Sequence, residues 1–482
     1  MNFKMVANLL GRILCVEALF LLPAVAVSLY FGEADAARAL AVSCVITAGA
    51  GGLMLIPRPK KKNFYAREGF IVVALAWIVI SLFGALPFYI SREIPRFIDC
   101  LFETISGFTT TGASILTDIE AMSKGLLYWR SFTHWLGGMG VLVFLLAIAP
   151  SSKGSGQNVF LLRAESPGPE VDKLVPRTHN SAQILYSIYI GMTFLEMVFL
   201  RLGGMPLFDT VTVTFGTAGT GGFAIRSSSV AEYSPYLQNV VTIFMILFSI
   251  NFNLYFLILG RRFRQALKNE ELWMYLGLLG GSILLIAQNT RSFYASFGES
   301  VHHAAFQAAS IMTTTGFATV DFNLWPEFSK CILLLLMVAG ACAGSTGGGI
   351  KVSRLLLLFK SMHAELRRMI SPRLVRPIRM DGKPVGSDTL RGIYLYMSAY
   401  FTVTAVSLLF VSLDNFGLET TISSVFACLN NIGPGFGITG PMGNYAPFSS
   451  LTKLILCADM LIGRLEILPI LLLFVPSVWK RT

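Results

Sequence analysis

Thr109-Thr110-Thr111-Gly112 is the stretch that decides how this chain folds, because three later stretches repeat it. They are Gly219-Thr220-Gly221-Gly222, Thr313-Thr314-Thr315-Gly316 and, in diverged form, Asn430-Asn431-Ile432-Gly433. Each closes a short apolar segment, at 97–108, 207–217, 300–312 and 418–429. Each segment is too short for the ~20 apolar residues that a bilayer crossing needs, and each is flanked by longer apolar runs. Asp99 and Asp209 stand at the same distance before the glycine of their copies. One such stretch reads as an ordinary Thr/Gly turn. Four in register are an internal repeat, and an internal repeat sets the architecture.

The composition says what surrounds those stretches. Of 482 residues, 54% are hydrophobic and 13% charged, about half the ~25% charge of soluble domains. The net charge of +11 is carried by short loops between apolar runs. That is the positive-inside pattern of a membrane protein rather than a nucleic-acid groove, so no nucleic-acid partner is expected. The seven cysteines are odd in number and show no paired spacing, so neither a disulfide framework nor a zinc site is indicated. No nucleophile or metal cluster suggests an enzyme. The first run, 5–31, carries Arg12 and Glu17 and reads as a retained helix rather than a signal peptide.

In chain order, residues 1–66 hold two N-terminal helices and a basic loop with Lys60, Lys61 and Lys62. Residues 67–150 form the first unit, with helices at 69–90 and 125–149. A Gly/Pro/Ser-rich linker and the second unit occupy 151–260, with helices at 181–202 and 237–260. The third unit, 261–360, has helices at 272–289 and 328–360, the latter interrupted over 339–351. A basic polar segment and the fourth unit complete 361–482, with helices at 392–412 and 450–475. Placing every basic loop inside gives ten spans with both termini cytoplasmic and all four short segments on the outer side. The expected fold is therefore an all-α membrane protein: four helix–pore loop–helix repeats in pseudo-fourfold array, preceded by two extra transmembrane helices.

Non-helical backbone at membrane depth survives only where protein shields it or where it lines a wet cavity. Four equivalent re-entrant loops can shield one another by meeting on one axis. Glycine lets the backbone turn its carbonyls inward, threonine hydroxyls extend the row of oxygens, and rings of such oxygens replace the hydration shell of an alkali cation. The preceding short helices aim the negative ends of their dipoles at the same point.

On these loops the chain resembles the superfamily of potassium transporters that comprises the Trk, Ktr and Hkt proteins. Three further stretches are similar to its bacterial TrkH branch: His134 to Gly140, Ala341 to Gly349, and Gly463-Arg464-Leu465-Glu466. The resemblance covers essentially the whole chain. It implies potassium as the bound and transported ion, with no catalytic cofactor. The implied ligands are Thr110 and Thr111, Thr220 and Gly221, Thr314 and Thr315, and Asn431 and Ile432, with Gly112, Gly222, Gly316 and Gly433 completing the loops. It also implies a homodimer in the lipid of a bacterial inner membrane, gated by a cytosolic nucleotide-binding ring of TrkA type. No copy has the longer Thr-Val-Gly-Tyr-Gly filter of true potassium channels, which implies a weaker preference for potassium over sodium.

Two features invite a gate. Gly340, Gly344, Gly347, Gly348 and Gly349 interrupt an apolar helix at an energetic cost of about 1 kcal/mol each. The run lacks the preceding strand and lysine spacing of a phosphate-binding loop. It reads either as a surface for close helix packing or, as the resemblance implies, as a flexible loop beneath the filter. Arg464 lies too deep to snorkel, and a mid-bilayer arginine costs at least ~2.5–3.5 kcal/mol. It reads either as an ion pair with a distant acid such as Glu196 or Asp459, or, by resemblance, as a barrier holding the gating loop. Gly137 and Gly138 read as close packing. A proton- or sodium-coupled secondary transporter is the competing class, expected to show inverted repeats and ionisable residues at the substrate site.

Overall fold

Long apolar runs can satisfy their backbone in a bilayer only as helices, and helices are what these runs form. The computed structural model describes residues 3–57, 66–138, 140, 178–371 and 377–479. Helices α1 (Phe3–Tyr30) and α2 (Ala34–Leu55) form an antiparallel hairpin. Gly11 and Gly51 let its helices approach closely: a Cβ on either would lie within 2.9 Å of the other's carbonyl oxygen. Small residues at a crossing are the usual device of helices packed in lipid.

Four units follow. The first has α3 (Ala66–Gly84), α4 (Leu86–Ser91), the short α5 (Phe97–Phe108) and α6 (Lys124–Gly138). The second has α7 (Thr178–Leu202), the short α8 (Leu207–Gly219), α9 (Pro235–Phe248), α10 (Phe252–Leu259) and α11 (Phe263–Leu267). The third has α12 (Glu270–Asn289), the short α13 (Phe297–Met312), α14 (Glu327–Ala339) and α15 (Val352–Ile370). A small antiparallel hairpin, β1 (Arg379–Met380) and β2 (Lys383–Pro384), leads into the fourth. That unit has α16 (Ser387–Val411), the short α17 (Leu418–Leu429), α18 (Ser450–Arg464), α19 (Leu468–Leu473) and α20 (Pro476–Trp479). Leu284 on α12 and Leu409 on α16 point outward and are well exposed, as lipid-facing residues are.

The second long segment of the second, third and fourth units departs from a simple span. Six described helices are long and apolar enough to cross a membrane, or seven counting the bent pair α9–α10. The run 237–260, which reads as one helix, turns by 90° between Phe248 and Phe252, where the Asn251 side chain caps α10 by accepting from Asn253 N at 3.0 Å. The run 450–475 is likewise cut after Arg464, because Glu466 and Ile467 take positive φ. The run 328–360 breaks at 340–351, where its glycines stand. The helix expected over 125–149 is seen as far as Gly138, and residues 141–149 lie outside those described.

Candidate ion pathway at the four glycine loops

Each short helix ends in the same hydrogen-bonded cap. Thr111 N, Gly221 N, Thr315 N and Ile432 N donate five residues back to Ser106, Gly216, Ser310 and Ala427 at 2.8–2.9 Å. The residue before each donor, Thr110, Thr220, Thr314 or Asn431, is left-handed with φ between 54 and 61°. Glycine normally fills that position of a helix C-cap, and a β-branched threonine there is a true outlier. Such strain persists only where the surroundings over-determine it. Two residues after each strained position comes the glycine, Gly112, Gly222, Gly316 or Gly433, again at positive φ, 72–95°. Three different sequences, one of them used twice, share one backbone path.

The loops also meet in a closed cycle. A Cβ on Gly112 would lie 1.9 Å from the carbonyl oxygen of Gly221; on Gly222, 1.9 Å from that of Thr315; on Gly316, 2.2 Å from that of Ile432; on Gly433, 2.7 Å from that of Thr111. Every glycine thus abuts the residue before the next unit's glycine, and the fourth returns to the first. Among the described residues, no hydrogen bond is donated to the carbonyls of Thr110, Thr111, Thr220, Gly221, Thr314, Thr315, Asn431 or Ile432, although all eight residues are buried. Buried carbonyls are rarely left unpaired, and a ring of them is the donor set a dehydrated cation requires. All four glycines line one open-mouthed cavity of about 100 Å³, roomy enough for several waters.

Several threonine hydroxyls have hydrogen-bond partners within the protein. Thr109 and Thr111 bond each other at 2.8 Å, as do Thr313 and Thr315, and Thr314 Oγ1 accepts from Gly348 N at 2.6 Å. These bonds tie the loops internally and to their surroundings. Asn431 Nδ2 donates to Thr111 Oγ1 and to Met460 O, binding the fourth loop to the first. In the second loop Gly221 replaces the bulkier residues of the other copies because the buried His134 ring lies against it. His134 Nδ1 also bonds Gly107 O at 2.8 Å.

Charges inside apolar segments, which sequence reading passed over, complete the scaffold. The buried Glu103 of α5 accepts from Arg130 Nε at 2.6 Å, from Ser114 Oγ and from Ile115 N. Arg130 of α6 in turn donates to Ala224 O just after the second glycine. Tyr445 donates to Gly433 O at 2.8 Å, and its own N–H reaches Ser114 O.

Beneath the ring lies the loop 340–351. Gly348 N reaches Thr314 and Gly349 N reaches Asn430 O at 3.1 Å. A Cβ on Gly348 would meet Asn430 O at 2.3 Å and one on Gly347 would meet Ala341 Cβ at 2.5 Å. Gly344 and Gly349 have positive φ. The glycines therefore serve both close contact and backbone turning. Lys351 Nζ donates to Gly347 O. Arg354 pairs with Glu466. Arg464 takes neither Glu196 nor Asp459 as its hydrogen-bond acceptor in the contacts resolved: it donates to Thr346 O at 2.9 Å, to Gly138 O at 2.9 Å and to Gly137 O. Gly137 and Gly138 are packing residues as well, since a Cβ on them would strike Phe108 O and Gly219 Cα. His302 and His303 form no metal group among the described residues.

The family model described as "TrkH: Cation transport protein" matches residues 37–279 and 283–481. The chain belongs to the TrkH family of cation transport proteins. It is 34% identical to the Trk system potassium uptake protein TrkH of Salmonella typhimurium over the full length of both chains. It is 31% identical to TrkG of Escherichia coli over 99% of each. The crystal structure of the potassium transporter TrkH from Vibrio parahaemolyticus superposes with a TM-score of 0.89 at 29% identity, covering both chains completely. As a TrkH-family member the chain is a multi-pass membrane protein, and its family is one of transporters rather than enzymes.

Proposed function

We propose that this TrkH-family chain takes up potassium through a single channel-like pore, with Thr110–Gly112, Thr220–Gly222, Thr314–Gly316 and Asn431–Gly433 as its selectivity filter. The cyclic fit of each glycine against the next loop's carbonyl carries this reading. It supports four units around one axis in pseudo-fourfold array; the same reading takes ten spans, basic loops inside and both termini cytoplasmic in a bacterial inner membrane, which rest on the placement of the basic loops. Unpaired carbonyls of Thr111, Gly221, Thr315 and Ile432 would take the place of water around a cation, aided by four helix C-termini.

The loop 340–351 and Arg464 act as the gate in this reading. The loop presses on Thr314 and Asn430, while the positive charges of Lys351, Arg354 and Arg464 outnumber Glu271 and Glu466 there and oppose a cation. A cytosolic nucleotide-binding ring of TrkA type docked on the basic inner face of a homodimer would withdraw the loop. Single-channel recording of the purified chain in planar bilayers tests the proposal: unitary potassium currents support it, and slow coupled flux without unitary events refutes it.

One observation favours a second reading, proton-coupled transport. Glu17 is buried in α1 with neither carboxylate oxygen bonded to a described residue. A proton gradient that drives rubidium uptake, abolished by Glu17→Gln, would establish it.

A further inference from the structure

The start of α12 joins three things that sequence keeps far apart. Glu271, buried there, accepts through one oxygen from Ala343 N at 2.7 Å and from Ser353 N at 3.0 Å. Ala343 belongs to the descending arm of the loop 340–351, and Ser353 is the second residue of α15 beyond it. A single carboxylate oxygen therefore pins both ends of the loop. Ser353 N is one of the orphan donors at a helix start, where a negative charge is also favoured by the dipole.

The neighbouring residues face the cytoplasmic hairpin. Asp381, at the hairpin turn, accepts from Asn269 Nδ2 at 2.9 Å and from Glu270 N at 2.8 Å. Lys360 of α15 reaches the Glu270 carboxylate and Arg379 O of β1. Met380 packs with Leu357 of α15 and Ile393 of α16 in a small buried cluster. A force on this hairpin thus reaches α12 through two bonds from Asp381, one residue from the Glu271 clasp.

We infer that Glu271 is a positioning residue that clasps the loop 340–351 in place, and that the hairpin at 379–384, tied to the same helix start through Asp381, is the lever by which a cytoplasmic contact loosens it. The inference rests on the reading of that loop as a gate. A carboxylate that is one residue from a surface-linked cap, yet bonded to both arms of a buried loop, does what a latch does. Losing the carboxylate frees Ala343 and Ser353 together.

The test uses the full chain in proteoliposomes, without any cytosolic partner, and reads rubidium uptake together with the potassium-to-sodium permeability ratio. Glu271→Ala raises basal uptake several-fold with the ratio unchanged. Glu271→Gln, whose amide oxygen accepts the same two bonds, restores most of the block. Asp381→Ala raises uptake by less than Glu271→Ala. In a version keeping Cys342 as its sole cysteine, a thiol reagent modifies that buried residue faster once Glu271 is alanine, a readout independent of flux. Wild-type uptake in Glu271→Ala, alongside raised uptake when residues 344–349 are deleted, overturns the clasp and leaves the gate standing. Unchanged uptake in both overturns the gate as well. A further rise when Glu271→Ala is added to that deletion also overturns the clasp, since it then acts elsewhere. Wild-type uptake in Asp381→Ala overturns the lever.

Discussion

Arg464 reaches Thr346 O and Gly138 O with bonds of 2.9 Å each, so one side chain of the fourth unit holds the interrupting loop of the third and the helix end of the first. Losing it removes a half-buried positive charge and the anchors of three carbonyls at once. Arg464→Ala should raise basal rubidium flux several-fold in proteoliposomes. Arg464→Lys should fall between, because an ammonium lacks the planar fork that serves several carbonyls together. Equal flux in all three would remove Arg464 from the gate.

The ion pair behind the first loop should show its weight in stability. Glu103 and Arg130 are almost fully buried and serve the loop backbones on either side. Arg130→Leu alone leaves a buried carboxylate uncompensated, at a cost of about 3–5 kcal/mol. Replacing both residues with apolar ones should cost less than that single change. Thermal unfolding in detergent checks the order, and a double variant less stable than Arg130→Leu would contradict it.

Much of this was legible in the sequence because the pattern is carried by glycine and threonine at fixed spacing. The four short helices begin and end close to where the apolar segments do, and the break at 340–351 follows from glycines that a helix tolerates poorly. The breaks at Ser249–Asn251 and at Leu465–Ile467 were not legible. Neither contains glycine or proline, and each is held by a distant partner: Gly344 O accepts from Phe252 N at the first, and Arg354 pairs with Glu466 at the second. The scaffold of Glu103, Arg130, Tyr445 and Glu271 escaped for the same reason, since its bonds join residues far apart in the chain. The hydroxyl bonds of Thr111 and Thr315 were not legible either, because they depend on the path of the folded loop.

Tyr445 offers a milder perturbation of the fourth loop. Tyr445→Phe removes the bond to Gly433 O while keeping the ring in its buried aromatic cluster with Phe102 and Phe448. The stability loss should be about 0.5–1.5 kcal/mol, with a modest fall in potassium preference measured by reversal potential. Unchanged selectivity would show that the fourth loop holds its shape without this bond.

The orientation makes its own demand. In a background without native cysteines, cysteines placed at Asp118, Ser228 and Asn444 should react with an impermeant thiol reagent outside intact cells. Those at Lys268 and Lys383 should react only after the membrane is opened. External labelling at Lys383 would invert the assignment.

The central claim is that four loops close one cation-binding ring, and Gly316→Ser tests it most directly. Gly316 has φ 85°, where a side chain costs about 1–2 kcal/mol, and its new Cβ would press on Ile432 O. That carbonyl must move, and a displaced carbonyl binds the cation it was placed for less well. Gly280 on α12 is the control, because a Cβ there meets nothing within 4 Å. The measurement is the reversal potential of proteoliposomes under a potassium–sodium gradient. The account predicts a lowered potassium-to-sodium ratio for Gly316→Ser and an unchanged ratio for Gly280→Ser. An unchanged ratio in a well-folded Gly316→Ser protein would contradict it.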